Sequence, residues 1–219
     1  MEKEELPGVQ FTGSMLNQNF ENPVKPSINR LPLPRLLLCL GLLAWVSAAS
    51  AEAVRTSGIL SPDTEWETAY HVIDSQIPGP TVFLTGGMHG NEPAGYRAAE
   101  QIRHWPIVKG RLIVVPRVNR LGLAANLRWL PSFRNDRKLR DPNRNFPKKK
   151  DQLTAMTPPC QAIWELVQNQ EPDWLIDLHE GFDFHVTNSK SVGSTIIYLK
   201  APAINPVAEK MIQRVNDGI

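Results

Sequence analysis

The chain has 219 residues and a mass of 24.6 kDa, with 42% hydrophobic and 21% charged residues, ordinary globular proportions. That composition excludes intrinsic disorder and collagen-like repeats, and two cysteines exclude a disulfide framework. Lys+Arg at 24 against Asp+Glu at 22 gives a net charge of +2, too near neutrality for a surface given over to nucleic acid.

The first feature in chain order is the apolar run Leu36–Val46, preceded by Arg30 and Arg35 and followed by Ala49-Ser50-Ala51. A positive flank, an apolar core and a small-residue cleavage site are the layout of a secretory signal. The run is far short of the roughly 20 apolar residues of a transmembrane helix. A buried helix of the folded domain is the plainer alternative. Met15 is an alternative start, because the stretch before the run is long for a signal. A lipoprotein reading through Cys39 is weak, since that cysteine opens the run instead of ending it. The expected organisation is an N-terminal extension and signal peptide over 1–51 and one domain over 52–219. Cleavage after Ala51 would leave Cys160 as the single thiol, with no intramolecular disulfide. The product is expected to be exported, periplasmic or secreted. Mass spectrometry of exported material should find a new N-terminus near Glu52; an intact N-terminus in a cytoplasmic pool would count against export.

From residue 52 onward, short apolar runs ended by turn residues alternate with helical stretches. Pro80–Thr85 is β-rich and stops at Gly86-Gly87. Pro93–His104 predicts a helix, its early proline suiting a first turn. Arg111–Val115 predicts a second strand. Asn119–Thr157 is polar and aperiodic, and a loop that long in a compact domain is usually functional. Pro158–Asn169 predicts a helix with Ile163, Leu166 and Val167 on one face. Asp173–Leu178 predicts a third strand, Ser194–Leu199 a fourth, and Asn205–Val215 a last helix. Apolar strands separated by helices predict the α/β class, with a mainly parallel or mixed sheet flanked by helices. Ligands in such sheets bind at the carboxyl ends of the strands.

Two histidines sit at that address. His89 follows the first strand in Gly86-Gly87-Met88-His89-Gly90-Asn91-Glu92, and His179 follows the third in Asp177-Leu178-His179. If the turn begins a helix, His89 and Glu92 share a face at i and i+3. His179 would complete a His-Glu-His set. Three protein ligands with an open fourth position is the pattern of catalytic zinc, one ion per chain, whereas structural zinc is closed by four ligands. A bare H-x-x-E is common by chance, and the plainer reading is one turn histidine and one strand-end histidine.

Three motifs occur in order, however: Gly-Gly-Met-His-Gly-Asn-Glu after a strand, Asp141-Pro142-Asn143-Arg144-Asn145-Phe146-Pro147 in the long loop, and Asp177-Leu178-His179. Together they resemble the succinylglutamate desuccinylase/aspartoacylase family of the zinc metallocarboxypeptidase clan, over about Pro80 to Val215. The short interval from Glu92 to His179 is similar to the deacylase branch. The resemblance implies a zinc-carboxypeptidase-like (phosphorylase/hydrolase-like) fold and a zinc hydrolase domain over 52–219. It places His89, Glu92 and His179 as zinc ligands, and Asn143 and Arg144 as the pair that holds a substrate carboxylate. Asp141 stands where the family keeps a carboxylate that orients a ligand histidine, a role Asp177 would share, although a strand-end aspartate is more often solvated. Pro142 replaces the family's usual leucine.

Zinc lowers the pKa of bound water to about 7 and polarises a carbonyl oxygen, and an arginine can hold a carboxylate bidentately. The general base is not identified. The family's base is a glutamate on a late strand, whereas the residues after His179 hold only Glu180 and Glu209. Glu180 neighbours a ligand, but adjacent strand side chains point to opposite faces. The chain is therefore expected to lack a C-terminal part of its domain.

The basic stretch Arg134, Arg137, Lys138, Arg140, Arg144, Lys148, Lys149 and Lys150 suits an anionic substrate better than nucleic acid, having few aromatics. The plainer reading is a solvated loop. The family's second substrate arginine falls to Arg134, Arg137 or Arg140, between which spacing does not choose. His185 reads as a pocket-wall or surface histidine, and Cys160 as a helix-face residue. The expected partner is a small anionic N-acyl amino acid or a peptide C-terminus, with no nucleic acid and no membrane span after cleavage. The leading expectation is a metal-dependent hydrolase that cleaves a carbon–nitrogen bond beside a carboxylate, a deacylase of N-acyl amino acids. The alternatives are a zinc carboxypeptidase acting on peptides or cell-wall peptides, and a non-catalytic zinc- and anion-binding remnant.

Overall fold

The computed structural model describes residues 52–148, 154–181, 183, 187–191, 193 and 195–217. The apolar run with its cleavage site, Cys39, Lys149, Lys150 and His185 lie outside the described residues. Five strands form one sheet: β1 (Val54–Leu60), β2 (Thr68–Asp74), β3 (Thr81–Gly86), β4 (Arg111–Val115) and β5 (Trp174–Leu178). Their spatial order is β1-β2-β4-β3-β5. β3 runs parallel to both β4 and β5, while β2 pairs antiparallel with β1 and β4. The sheet is therefore mixed, with a parallel half that carries the motif-bearing loops.

Helix α1 (Pro93–Ile102) follows β3, α3 (Pro158–Gln170) precedes β5, and α4 (Asn205–Asn216) ends the described chain. The long loop after β4 holds a short helix α2 (Arg120–Ala124) and two 3₁₀ turns, Pro131–Phe133 and Pro142–Arg144. Both α1 and α3 begin with proline at the first helical turn, where its missing N–H costs nothing. The described part of the strand expected over 194–199 has no ladder: residues 195–199 pair with none of the described strands, and Ile197 and Leu199 are exposed. Among the described residues no helix is long and apolar enough to cross a membrane.

Strand alternation divides the core into two layers. Phe83, Ile113 and Val115 face one side and pack with Ile163 and Leu166 of α3. Leu84, Leu112 and Val114 face the other and pack with Ala99 of α1. Each such side chain, fully buried, contributes about 1.5–3 kcal/mol from the apolar area it removes from water. β3 and β4 are thus covered on both faces, and the carboxyl edge of the parallel strands is left for the loops.

Candidate metal centre

Gly86 of β3 stands opposite Leu178 of β5, so the chain leaves both strands at one edge. His89 and His179 both lie just past that edge. The turn after β3 closes with the Glu92 N–H donating to the His89 carbonyl at 3.3 Å. Glu92 then occupies the N-cap position of α1 without capping it. Its carboxylate turns to the histidines instead: Oε1 is 2.8 Å from His89 Nδ1, and Oε2 is 2.8 Å from His179 Nδ1. One ligand atom from each of His89, Glu92 and His179 lies within 4.8 Å of the other two. His89 and Glu92 are buried, whereas the His179 side chain keeps 31% of its exposure and faces the open side.

Each imidazole is held from behind by a carboxylate. Asp141 Oδ1 is 3.1 Å from His89 Nε2. The same oxygen accepts the Asn143 N–H at 3.0 Å, so Asp141 also caps the 3₁₀ turn that carries Asn143 and Arg144. Asp177 Oδ2 is 2.8 Å from His179 Nε2, and its Oδ1 accepts the Thr85 hydroxyl at 2.7 Å. Asp177 therefore stands behind His179 as Asp141 stands behind His89, and is not merely solvated. Residues 177 and 179 are two apart at a strand end and so lie on one side. Such partners on Nε2 leave Nδ1, which faces Glu92 in both rings, as the nitrogen each ring would present to an ion, and raise its basicity.

The electrostatics favour a cation. Burial alone would raise the Glu92 pKa, but hydrogen bonds from His179 and His89 outweigh it and hold the carboxyl well below the usual range. Hydrogen bonds to Asp177 and then Glu92 push His179 up to about 10. Glu92 lies between the two Nδ1 atoms, with Asp141 and Asp177 behind the rings on Nε2, and a divalent ion on the Nδ1 side would supply positive charge to Glu92 directly and to the two aspartates through the imidazoles. Two imidazole nitrogens and a carboxylate oxygen, each already oriented, could hold such an ion.

Arg128 was not legible in the sequence. Its Nη1 donates to Glu92 Oε1 at 2.5 Å, making it the guanidinium that touches the cluster. Asn119 brings it there: the Asn119 N–H donates to the Gly87 carbonyl at 2.9 Å, and its side-chain amide to the Trp129 carbonyl at 3.1 Å. Arg140 lies over the Trp129 ring at 4.6 Å, apart from the cluster.

The remaining residues are less close. Asn143 and Arg144 are joined to the cluster only through Asp141, and the exposed Arg144 guanidinium turns back to the Asn143 carbonyl at 3.2 Å. The Glu180 carboxylate accepts the Ala94 N–H at 2.8 Å and so points away from the histidines. Glu209 is exposed on α4. His104 is exposed beyond the far end of α1. Cys160 is fully buried, its thiol pushed up to about 12 by burial and donating to the Pro142 carbonyl at 3.5 Å, which suits a packing residue and not a nucleophile.

Comparison with known proteins gives a family match over residues 78–198, to the succinylglutamate desuccinylase/aspartoacylase catalytic domain. No curated protein matches the chain. Among solved structures, the chain is similar to an aspartoacylase family protein from Mesorhizobium loti, at 28% identity, 57% of this chain, 40% of that one and a TM-score of 0.46. It is similar to a succinylglutamate desuccinylase/aspartoacylase from Rhodobacter sphaeroides at 27%, 58%, 40% and 0.42 in the same terms. A succinylglutamate desuccinylase from Silicibacter gives 28%, 59%, 40% and 0.43. The chain thus spans about two fifths of the length of these structures.

Proposed function

The chain belongs to the succinylglutamate desuccinylase/aspartoacylase family, and on that premise we propose a zinc-dependent hydrolase that cleaves the amide of an N-acyl amino acid. The observation that carries this reading is the pairing of both imidazoles with Glu92 in front and a carboxylate behind. The donor set fits zinc: His89 Nδ1, His179 Nδ1 and one Glu92 oxygen would hold the ion and leave further positions for water and substrate. When bound, the ion would supply an activated water near neutral pH and polarise the scissile carbonyl.

The chain's own residues do the rest. Asp141 and Asp177 face Nε2 of the two rings and, with the ion bound, would accept Nε2–H so that each Nδ1 serves as the ligand atom. Arg128 neutralises part of the Glu92 charge beside the reacting region. Asn143 and Arg144 receive the substrate carboxylate, and Asp141 ties their turn to His89. The basic stretch from Arg134 to Arg144 raises the local concentration of an anion. The enzyme would act after export, in the periplasm or the medium.

The test is Arg144→Lys in the full chain, read by calorimetry with N-acetylated amino acids as the probe. A guanidinium binds a carboxylate as a planar fork, which an ammonium cannot reproduce. Because Arg144 is exposed, the loss belongs at the low end for charge-assisted contacts, about 1.5 kcal/mol or roughly tenfold in Kd. Zinc content should be unchanged, and an amidated probe should bind both proteins equally poorly. Equal binding of the carboxylate probe by parent and variant would remove Arg144 as the anchor. Hydrolysis of C-terminal peptides, with no hydrolysis of N-acyl amino acids, would replace the deacylase reading with a carboxypeptidase.

A further inference from the structure

Glu92 stands at the N-cap of α1 but leaves that helix without a side-chain cap, because both its oxygens face imidazoles. Pro93 has no N–H, so Ala94 carries the first main-chain donor of α1 that needs a partner. Glu180, from beyond the end of β5, supplies it: Oε2 accepts the Ala94 N–H at 2.8 Å. The main-chain N–H of Glu180 donates in return to Glu92 Oε2 at 3.3 Å. The two bonds run in opposite directions between the same two segments, as in a capping box divided between a strand end and a helix start. A carboxylate at this place is also favoured by the positive end of the helix. The two segments pack closely as well. A Cβ on Gly95 would run into the Leu178 carbonyl oxygen, so glycine is what lets the first turn of α1 rest against the residue before His179.

We infer that Glu180 is a positioning residue of the metal centre, capping α1 in place of Glu92 and holding Glu92 and His179 as one unit. The inference rests on the metal-centre reading given above. Its physical content is a division of labour: one carboxylate serves the helix so that another can serve the ion. Glu180 is exposed and next to a donor histidine, yet its carboxylate is committed to Ala94 and is not the general base.

Glu180→Ala in the full chain tests this, with Zn²⁺ affinity measured by competition against a chromophoric chelator. Loss of a cap and of a group that orients ligands should weaken Zn²⁺ binding by about tenfold. Glu180→Gln keeps the acceptor oxygen and should stay within about threefold of the parent. The Co²⁺-loaded proteins should show a displaced visible spectrum for Glu180→Ala and the parent spectrum for Glu180→Gln. In the metal-free protein, amide exchange at Ala94 should speed up by about tenfold in Glu180→Ala and remain unchanged in Glu180→Gln. Should Glu180→Ala fail to fold, Glu180→Asp is one methylene too short to reach Ala94 and carries the same expectations. A parent chain that binds no zinc overturns the metal-centre reading itself. Zinc bound by the parent and by Glu180→Ala with equal affinity, or equal losses in Glu180→Ala and Glu180→Gln, overturns the inference alone.

Discussion

Replacing His89, Glu92 or His179 by alanine, one at a time, is expected to weaken zinc binding by about a hundredfold or more. Structural zinc sites with four ligands bind with roughly 10–16 kcal/mol, so one ligand in four stands for about 3 kcal/mol or slightly more. At 1.4 kcal/mol per decade that is about two decades in Kd, and a site with three protein ligands has less to spare. Glu92→Ala should be the most damaging of the three. Its carboxylate links both imidazoles, and its removal also leaves the Arg128 guanidinium facing the metal without its partner. His104→Ala should change nothing, because that side chain is exposed past the end of α1. Metal content by atomic spectroscopy on dialysed protein decides the matter. Stoichiometric zinc in all three variants would mean that the ion, if bound, is held elsewhere.

The parts of this centre that were legible in the sequence are those set by local geometry or by the family resemblance. His89 and Glu92 are three residues apart at a strand-to-helix turn, so spacing places them on one side, whereas Asp177 is paired with His179 through the family resemblance. Asp141 is placed through the family resemblance, and the structure adds that it caps the 3₁₀ turn Pro142–Arg144. Arg128 was not legible because nothing local marks it. It reaches Glu92 only because Asn119 fastens the loop to Gly87 on one side and Trp129 on the other, and such through-space ties leave no spacing to read.

The fold divides in the same way. β3 and β4 are largely buried on both faces and stand out as apolar runs; β5 is an apolar run too, although its Leu175 is exposed. β1 exposes most of its residues, and β2 is only partly buried, so the hairpin they form has little apolar pattern of its own. Its pairing comes from the neighbouring strand. The converse error is the expected strand over 194–199. Thr195-Ile196-Ile197-Tyr198-Leu199 has high β propensity, but propensity describes fitness for a half-buried pleated surface, and among the described residues these find no partner strand.

Gly90→Ala should cost about 3 kcal/mol of stability and lower Tm by roughly 6–12 °C, at 2–4 °C per kcal/mol for a domain of this size. Gly90 lies between His89 and Glu92, where the turn after β3 presses against the segment from α2 to Leu127. A Cβ there would overlap the Gly122 carbonyl group and the Leu127 carbonyl oxygen. All of these are main-chain atoms, and the Leu127 N–H is itself bonded to the Gly122 carbonyl at 2.9 Å, so none can swing aside as a side chain would. Relief requires the whole 119–129 segment to retreat, taking Asn119 and Arg128 with it. The variant should therefore lose zinc affinity as well as stability, even though Gly90 offers no ligand atom. Gly58→Ala is the matched control: the atoms nearest its added methyl belong to the outer ring edge and hydroxyl of the Tyr70 side chain and not to the main chain, so a side-chain rotation relieves them, and alanine suits a strand better than glycine. That change should stay within about 0.5 kcal/mol. Thermal unfolding of the metal-free proteins separates the two. If Gly90→Ala melts with the parent and binds zinc equally well, the close approach at this turn does not hold the donors in place.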